Sequence, residues 1–203
     1  MRVCFQFVAI ALALLLTATA LGYPKPAPVP IRPELTMRPG PLRMLQAANG
    51  QWYWYFTYDV VNRTGRDTMW APSLVLFTDR GEIRSADQDV PRMVINEIRE
   101  YVGDPLLETR TEIVGTVRQG EGHARSGLAV WPAKRTDVNA LRLFIRGLSP
   151  EKTVIDHPVT GDDVTLRKTL QLMYLVPGDA TARGDAPIPE HPEANSEDRW
   201  IFR

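Results

Sequence analysis

Trp52-Tyr53-Trp54-Tyr55-Phe56-Thr57-Tyr58 is the most unusual stretch of the chain, with six aromatic residues in seven positions. Aromatic side chains favour strands, and a strand turns successive side chains to opposite faces. Rings at both parities therefore load both faces of a sheet. Trp52, Trp54, Phe56, Tyr58 and Val60 form one wholly apolar face, the expected core. Tyr53, Tyr55, Thr57, Asp59 and Val61 form the other, which turns polar along the strand. Tyr53 and Tyr55 are thus expected to be partly exposed rings with hydroxyl handles. Three covers compete for them: the chain's own ends, a protein partner of the kind that favours tyrosine and tryptophan, or a planar ligand such as a sugar.

Outward from this stretch, short strands recur between turn signals. Asn62-Arg63-Thr64-Gly65 ends the aromatic strand, and Leu74 to Thr78 follows before a turn at Asp79-Arg80-Gly81. Later strands are expected at Thr111 to Val117, Leu128 to Trp131, Val138 to Ile145 and Val164 to Val176, the last with one core-face parity interrupted only by Lys168. One helix breaks the pattern at about residues 90–101. Asp89 is its expected cap, Pro91 suits its first turn, Val90, Val94, Ile98 and Tyr101 fall at helical spacing, and Gly103 and Pro105 stop it. The predicted class is all-β, an antiparallel β-sandwich with one short inserted helix.

The ends speak to compartment. Arg2, the apolar run Phe7 to Leu16 and Ala18-Thr19-Ala20 make residues 1–22 a predicted signal peptide. An uncleaved anchor is the competing reading, because Val3 to Leu21 is just long enough to cross a thinned bilayer. Once the segment is cleaved, no integral membrane domain is expected. The single cysteine, Cys4, precedes the apolar run, so the expected mature chain is disulfide-free and relies on its core. Residues 23–41 are proline-rich and expected to be an extended spacer. The sandwich is expected over 42–178. Residues 179–199 read as an acidic low-complexity linker, with six acidic and two basic residues in Gly178 to Arg199. The chain then ends in the apolar tip Trp200-Ile201-Phe202-Arg203, expected over 200–203.

Little in the sequence carries chemistry. The 24 basic and 24 acidic residues balance, and no run of lysine or arginine occurs, so no nucleic-acid partner is expected. There is no Gly-x-Ser-x-Gly, and His123 and Ser126 alternate to opposite faces of one short strand. No His-x-His, His-Glu-x-x-His or cysteine pair suggests a metal. Asp79, Glu82, Asp87 and Asp89 are oxygen donors at strand ends, but aspartate is ordinary in turns and caps. Arg183-Gly184-Asp185 matches integrin-ligand tripeptides, a short motif that chance supplies easily. Asn62-Arg63-Thr64 is a glycosylation sequon at an expected hairpin tip.

Tyr55 to Gly65 followed by Leu74 to Thr78, and Gly120-Glu121-Gly122 leading into Leu128-Ala129-Val130-Trp131, resemble the early and later strands of exported bacterial immunoglobulin-like domains. The likeness covers about residues 50–150 and implies an immunoglobulin-like β-sandwich with no catalytic residues to carry over. The chain departs from it in lacking a cysteine pair around a tryptophan and in its helix. The expectation is a non-enzymatic exported binding or envelope-scaffold protein, periplasmic or extracellular, acting through protein–protein contacts. A carbohydrate-binding module using exposed tyrosines is the alternative, and a hydrolase a more distant one. The expected partners are a protein, a cell-envelope component or a glycan. The binding residues singled out are Tyr53, Tyr55, Trp200 and Phe202, with no cofactor, metal or catalytic residue.

Overall fold

The computed structural model describes residues 23–191 and 199–203; the expected signal peptide and residues 192–198 lie outside the described residues. Among the described residues the fold is mainly β, with one short α-helix. One sheet has the order β1-β2-β8-β6, from β1 (Thr36–Gln46), β2 (Trp52–Asn62), β8 (Gly120–Pro132) and β6 (Leu107–Glu108). The other runs β10-β11-β9-β4-β5, from β10 (Lys152–Asp156), β11 (Asp163–Leu175), β9 (Ala140–Arg146), β4 (Ser73–Thr78) and β5 (Ile83–Ser85), and β12 (Trp200–Phe202) adds to β11. β3 (Thr68–Trp70) and β7 (Gly115–Val117) form a small separate ribbon. All pairings are antiparallel except β6 with β8.

The two sheets face each other across one core. Trp54, Phe56, Tyr58 and Val60 of β2 meet Leu141, Leu143 and Ile145 of β9 and Leu170, Leu172 and Tyr174 of β11. Tyr58 lies so close to its β8 partner Gly127 that a Cβ there would sit 2.3 Å from the ring, so only glycine fits. The opposite face of β2 is covered by helix α1 (Arg92–Val102), whose buried Val94 and Ile98 pack with Tyr53, Tyr55, Leu107, Leu128 and Val130. Pro91 stands at the N-cap position with no side-chain cap; Asp89, the expected cap, instead adopts a left-handed φ of 59°. Gly103 closes the helix at φ 70°, its N–H donating to the Arg99 carbonyl at 3.1 Å.

The expected proline spacer is largely structure. Residues 36–41 belong to β1, an edge strand, where a missing N–H costs little; the register shifts between Pro39 and Leu42, a bulge at the prolines. Upstream, the backbone N–H groups of Ile31 and Arg32 donate to Glu151 Oε1 at 2.7 and 3.3 Å, and Leu35 N–H donates to the Leu148 carbonyl. Lys168, the break in the apolar parity of β11, is 1% exposed on the core side. Its ammonium lies 3.0 Å from Glu34, 3.4 Å from Glu151 and 4.9 Å from the Trp200 ring centroid. Charge buried in a core needs such partners.

The expected linker is also built in over 179–191. Leu42 and Ile188 exchange backbone hydrogen bonds at 3.2 and 2.8 Å, and His191 N–H donates to the Met173 carbonyl at 2.7 Å. This segment joins the β1 edge of one sheet to the β11 edge of the other, and buries Ala180 and Ile188. Low complexity does not preclude pairing where two apolar residues reach a waiting strand edge. The opposite seam is closed by Asp87, whose N–H donates to the Val130 carbonyl at 2.7 Å while its carboxylate accepts from Val130 N–H at 3.1 Å. Asn62 is fully buried, donating to the Arg66 and Val117 carbonyls and accepting from Thr64, so the sequon is a turn whose amide is already used.

Lys168→Ala strands two carboxylates in the interior and is expected to cost about 3 kcal/mol or more in denaturant unfolding, as breaking a buried pair does. Asp87 yields a pH test. Burial, ahead of the opposing effects of its Val130 hydrogen bond and Arg110, holds its carboxyl above the usual range. An acid so raised contributes stability at low pH that is lost as pH climbs through its folded-state value. Asp87→Asn keeps an acceptor and tolerates left-handed backbone. Thermal melts are expected to match the parent's near about pH 3 and to gain on it as pH rises to about 7.

Candidate functional site

The four residues singled out from the sequence do not come together. Tyr53 and Tyr55 are 3% and 2% exposed, with their rings beneath α1. The expectation of partly exposed tyrosines is therefore corrected: the inserted helix is the cover. Only the hydroxyl ends reach polar groups, Tyr53 accepting from Asn49 Nδ2 at 3.0 Å and Tyr55 donating to Asp185. Trp200 and Phe202 are an edge strand, opposite Leu170 and Lys168 of β11. Trp200 packs on the inter-sheet core and Phe202 is buried. The apolar tip completes its own sheet because β11 offers it an open edge.

The tyrosine hydroxyl leads to a cluster. Asp185 accepts from Tyr55, from Tyr101 at 2.9 Å and from Arg43 Nη1 at 3.2 Å, and its backbone carbonyl accepts from the same Arg43 nitrogen at 2.8 Å. Each group arrives on a different element: Arg43 on β1, Tyr55 on β2, Tyr101 on the last turn of α1, and Asp185 after a short 3₁₀ turn at Thr181–Arg183. Burial first, then the Asp185 hydrogen bond, drives the Tyr55 phenol far above its usual range. Tyr101 is raised as well, by its hydrogen bond to Asp185, although the residue is 56% exposed. Both hydroxyls therefore stay protonated donors at neutral pH. The integrin-like tripeptide is not displayed, because its aspartate is held by these three side chains.

The cluster borders a cleft of about 370 Å³ lined by Pro41, Arg43, Tyr55, Thr57, Tyr101 and Asp185. Thr57 and Val102 also line a neighbouring cleft of about 270 Å³ with Arg38, Asp59, Asp104 and Ser126. Together they make a groove beside the C-terminal end of α1. At its far end Ser126 Oγ donates to Asp59 at 2.6 Å and so serves no histidine; His123 is exposed. A larger cleft of about 610 Å³ lies between residues 30–37 and Trp200, but the ends of the chain wall it and its Glu34 is engaged by Lys168. Among the described residues no three histidine, cysteine or acidic side chains are grouped to hold a metal.

Of this groove the sequence singled out Tyr55 as a binding residue, and named Asp185 and Ser126 only within motifs it set aside. Tyr101 counted as a helix-spacing residue, Arg43 fell at the domain edge with no local signal, and Asp185 fell in the linker as part of a short motif that chance supplies easily. No family model matches the chain, and no curated protein or solved structure matches it.

Asp185→Ala removes the acceptor of two tyrosines and the carboxylate facing Arg43, which keeps only the backbone carbonyl. It is expected to cost about 1–3 kcal/mol and to open residues 179–191 to limited proteolysis, whereas Asp185→Asn, which keeps an acceptor, is expected to be milder on both measurements.

Proposed function

We propose that this chain is a non-enzymatic binding or envelope-scaffold protein of an exported compartment, acting through contact between its groove and a protein partner. The observation that supports the reading is the convergence of Tyr101, Tyr55, Arg43 and Asp185 at the rim of a groove between a helix end and a strand edge. Tyrosine and arginine are the side chains that contact surfaces favour, because each pairs a broad flat group with directional donors. The Asp185 bonds hold them in place before a partner arrives, which lowers the ordering cost of binding. Export is supported by the n-region, apolar run and small-residue pattern of residues 1–22. A sugar-stacking reading that rests on Tyr53 and Tyr55 loses its ring faces to α1, so a glycan would have to use Tyr101.

A photo-crosslinking residue at position 101, compared with one at exposed Val159, tests this in the producing cell. A discrete protein adduct is expected at 101 alone, and Arg43→Ala is expected to lose it without shifting the melting temperature by more than a few degrees. Equal labelling at both positions would sink the reading. Retention on a glycan panel that Tyr101→Ala abolishes would replace it with carbohydrate binding.

A further inference from the structure

The outer face of the six-stranded sheet is a cationic surface whose charges, among the described residues, meet no carboxylate, although Arg146 donates to Ser73 Oγ at 3.3 Å. On β4, β5, β9, β10, β11 and β12 the side chains opposite in parity to the core include Arg142, Arg146, Lys152 and Arg167, all exposed, and Arg203 follows β12 directly. Among the described residues none of these five pairs with a carboxylate, whereas most other arginines of the sandwich do. The only acidic residues of these strands on the same face are Asp156 and Asp163, opposite one another at the far end of the β10–β11 hairpin. Assembling five cations on one face costs repulsion, which a monomer gains nothing from.

Two further features say what the face meets. Exposed aliphatic side chains stand among the cations: Ile83, opposite Phe77, and Val154, two residues from Lys152. The Arg203 guanidinium lies over the rings of Phe77 and Phe144, 4.3 and 4.4 Å from their centroids, so one cation is fixed on an aromatic base. A flat face of scattered arginines with intervening aliphatics suits the interface of a bilayer that carries negative headgroups. The Tyr23 hydroxyl donates to the Phe202 carbonyl, next to Arg203. Tyr23, two residues beyond the apolar stretch Val3 to Leu21, is thereby tied beside this face. We propose that the outer face of the six-stranded sheet docks on an anionic phospholipid membrane surface, with Arg142, Arg146, Lys152, Arg167 and Arg203 meeting the headgroup phosphates. An acidic protein segment would satisfy the charges but would leave the aliphatics and the position of Tyr23 unexplained.

The test measures co-sedimentation of the full chain with phosphatidylcholine vesicles and with vesicles in which about a third of the lipid is phosphatidylglycerol. The apolar N-terminal stretch partitions into both, so the difference reports the basic face. At least about tenfold tighter binding to the anionic vesicles is expected, and it should fade at high salt. The double substitution R142E/R167E, with R142Q/R167Q as a gentler companion, is expected to remove most of that preference while the melting temperature and the crosslink at position 101 persist. Equal binding to both vesicles, or a preference that neither variant moves, would overturn the proposal. Binding of polyglutamate that R142E/R167E abolishes, without a vesicle preference, would overturn it in favour of an acidic protein partner.

Discussion

The buried ammonium of Lys168 holds the two ends of the chain to the same sheet. Glu34 reaches it from the segment that precedes the first strand, Glu151 from the start of β10, and Trp200 from the last strand. Glu151 also accepts the Ile31 and Arg32 backbone N–H groups, so a single carboxylate satisfies an incoming chain and a buried cation at once. A leucine there would bury more simply but would place nothing in particular. The two carboxylates set the register of the segment before β1 and of the start of β10, a use of buried ion pairs for specificity more than for net stability, while the apolar last strand lays Trp200 over the same ammonium.

The second constraint is the two-sided aromatic loading of β2. A strand with rings on both faces can belong only to a sheet covered on both sides, and this domain has a second sheet for one side only. Helix α1 covers the other, burying Tyr53 and Tyr55 with Val94 and Ile98. The helix then brings Tyr101 to the rim where the Tyr55 hydroxyl emerges, so the groove is a by-product of covering β2. Its donors are ordered by Asp185 from a part of the chain distant in sequence.

Parity and turn signals were enough to read the sandwich class, the core face of β2 and the helix, because these depend on neighbours within about ten residues. What could not be read were pairings between distant segments. Pro39 and Pro41 argued against a strand, yet an edge position with a bulge accommodates them. Ile188 sits in an acidic, proline-containing stretch, and only the open edge of β1 makes it a strand partner. The cations of the outer face escaped notice for the same reason, since they are dispersed along four elements and meet only when β9, β10, β11 and β12 lie side by side.

The seams also determine when the fold can exist. Leu42 pairs with Ile188, and Tyr23 bonds to Phe202 across 179 residues of sequence. Contacts of such range form only after the cost of closing the whole chain has been met, which makes them late and slow. Until residues 179–203 have been made, a growing chain lacks the strand that caps β11 and the segment that joins the two sheets. The seam between the two sheets is therefore the last part of the fold to close, however much of each sheet has formed before it.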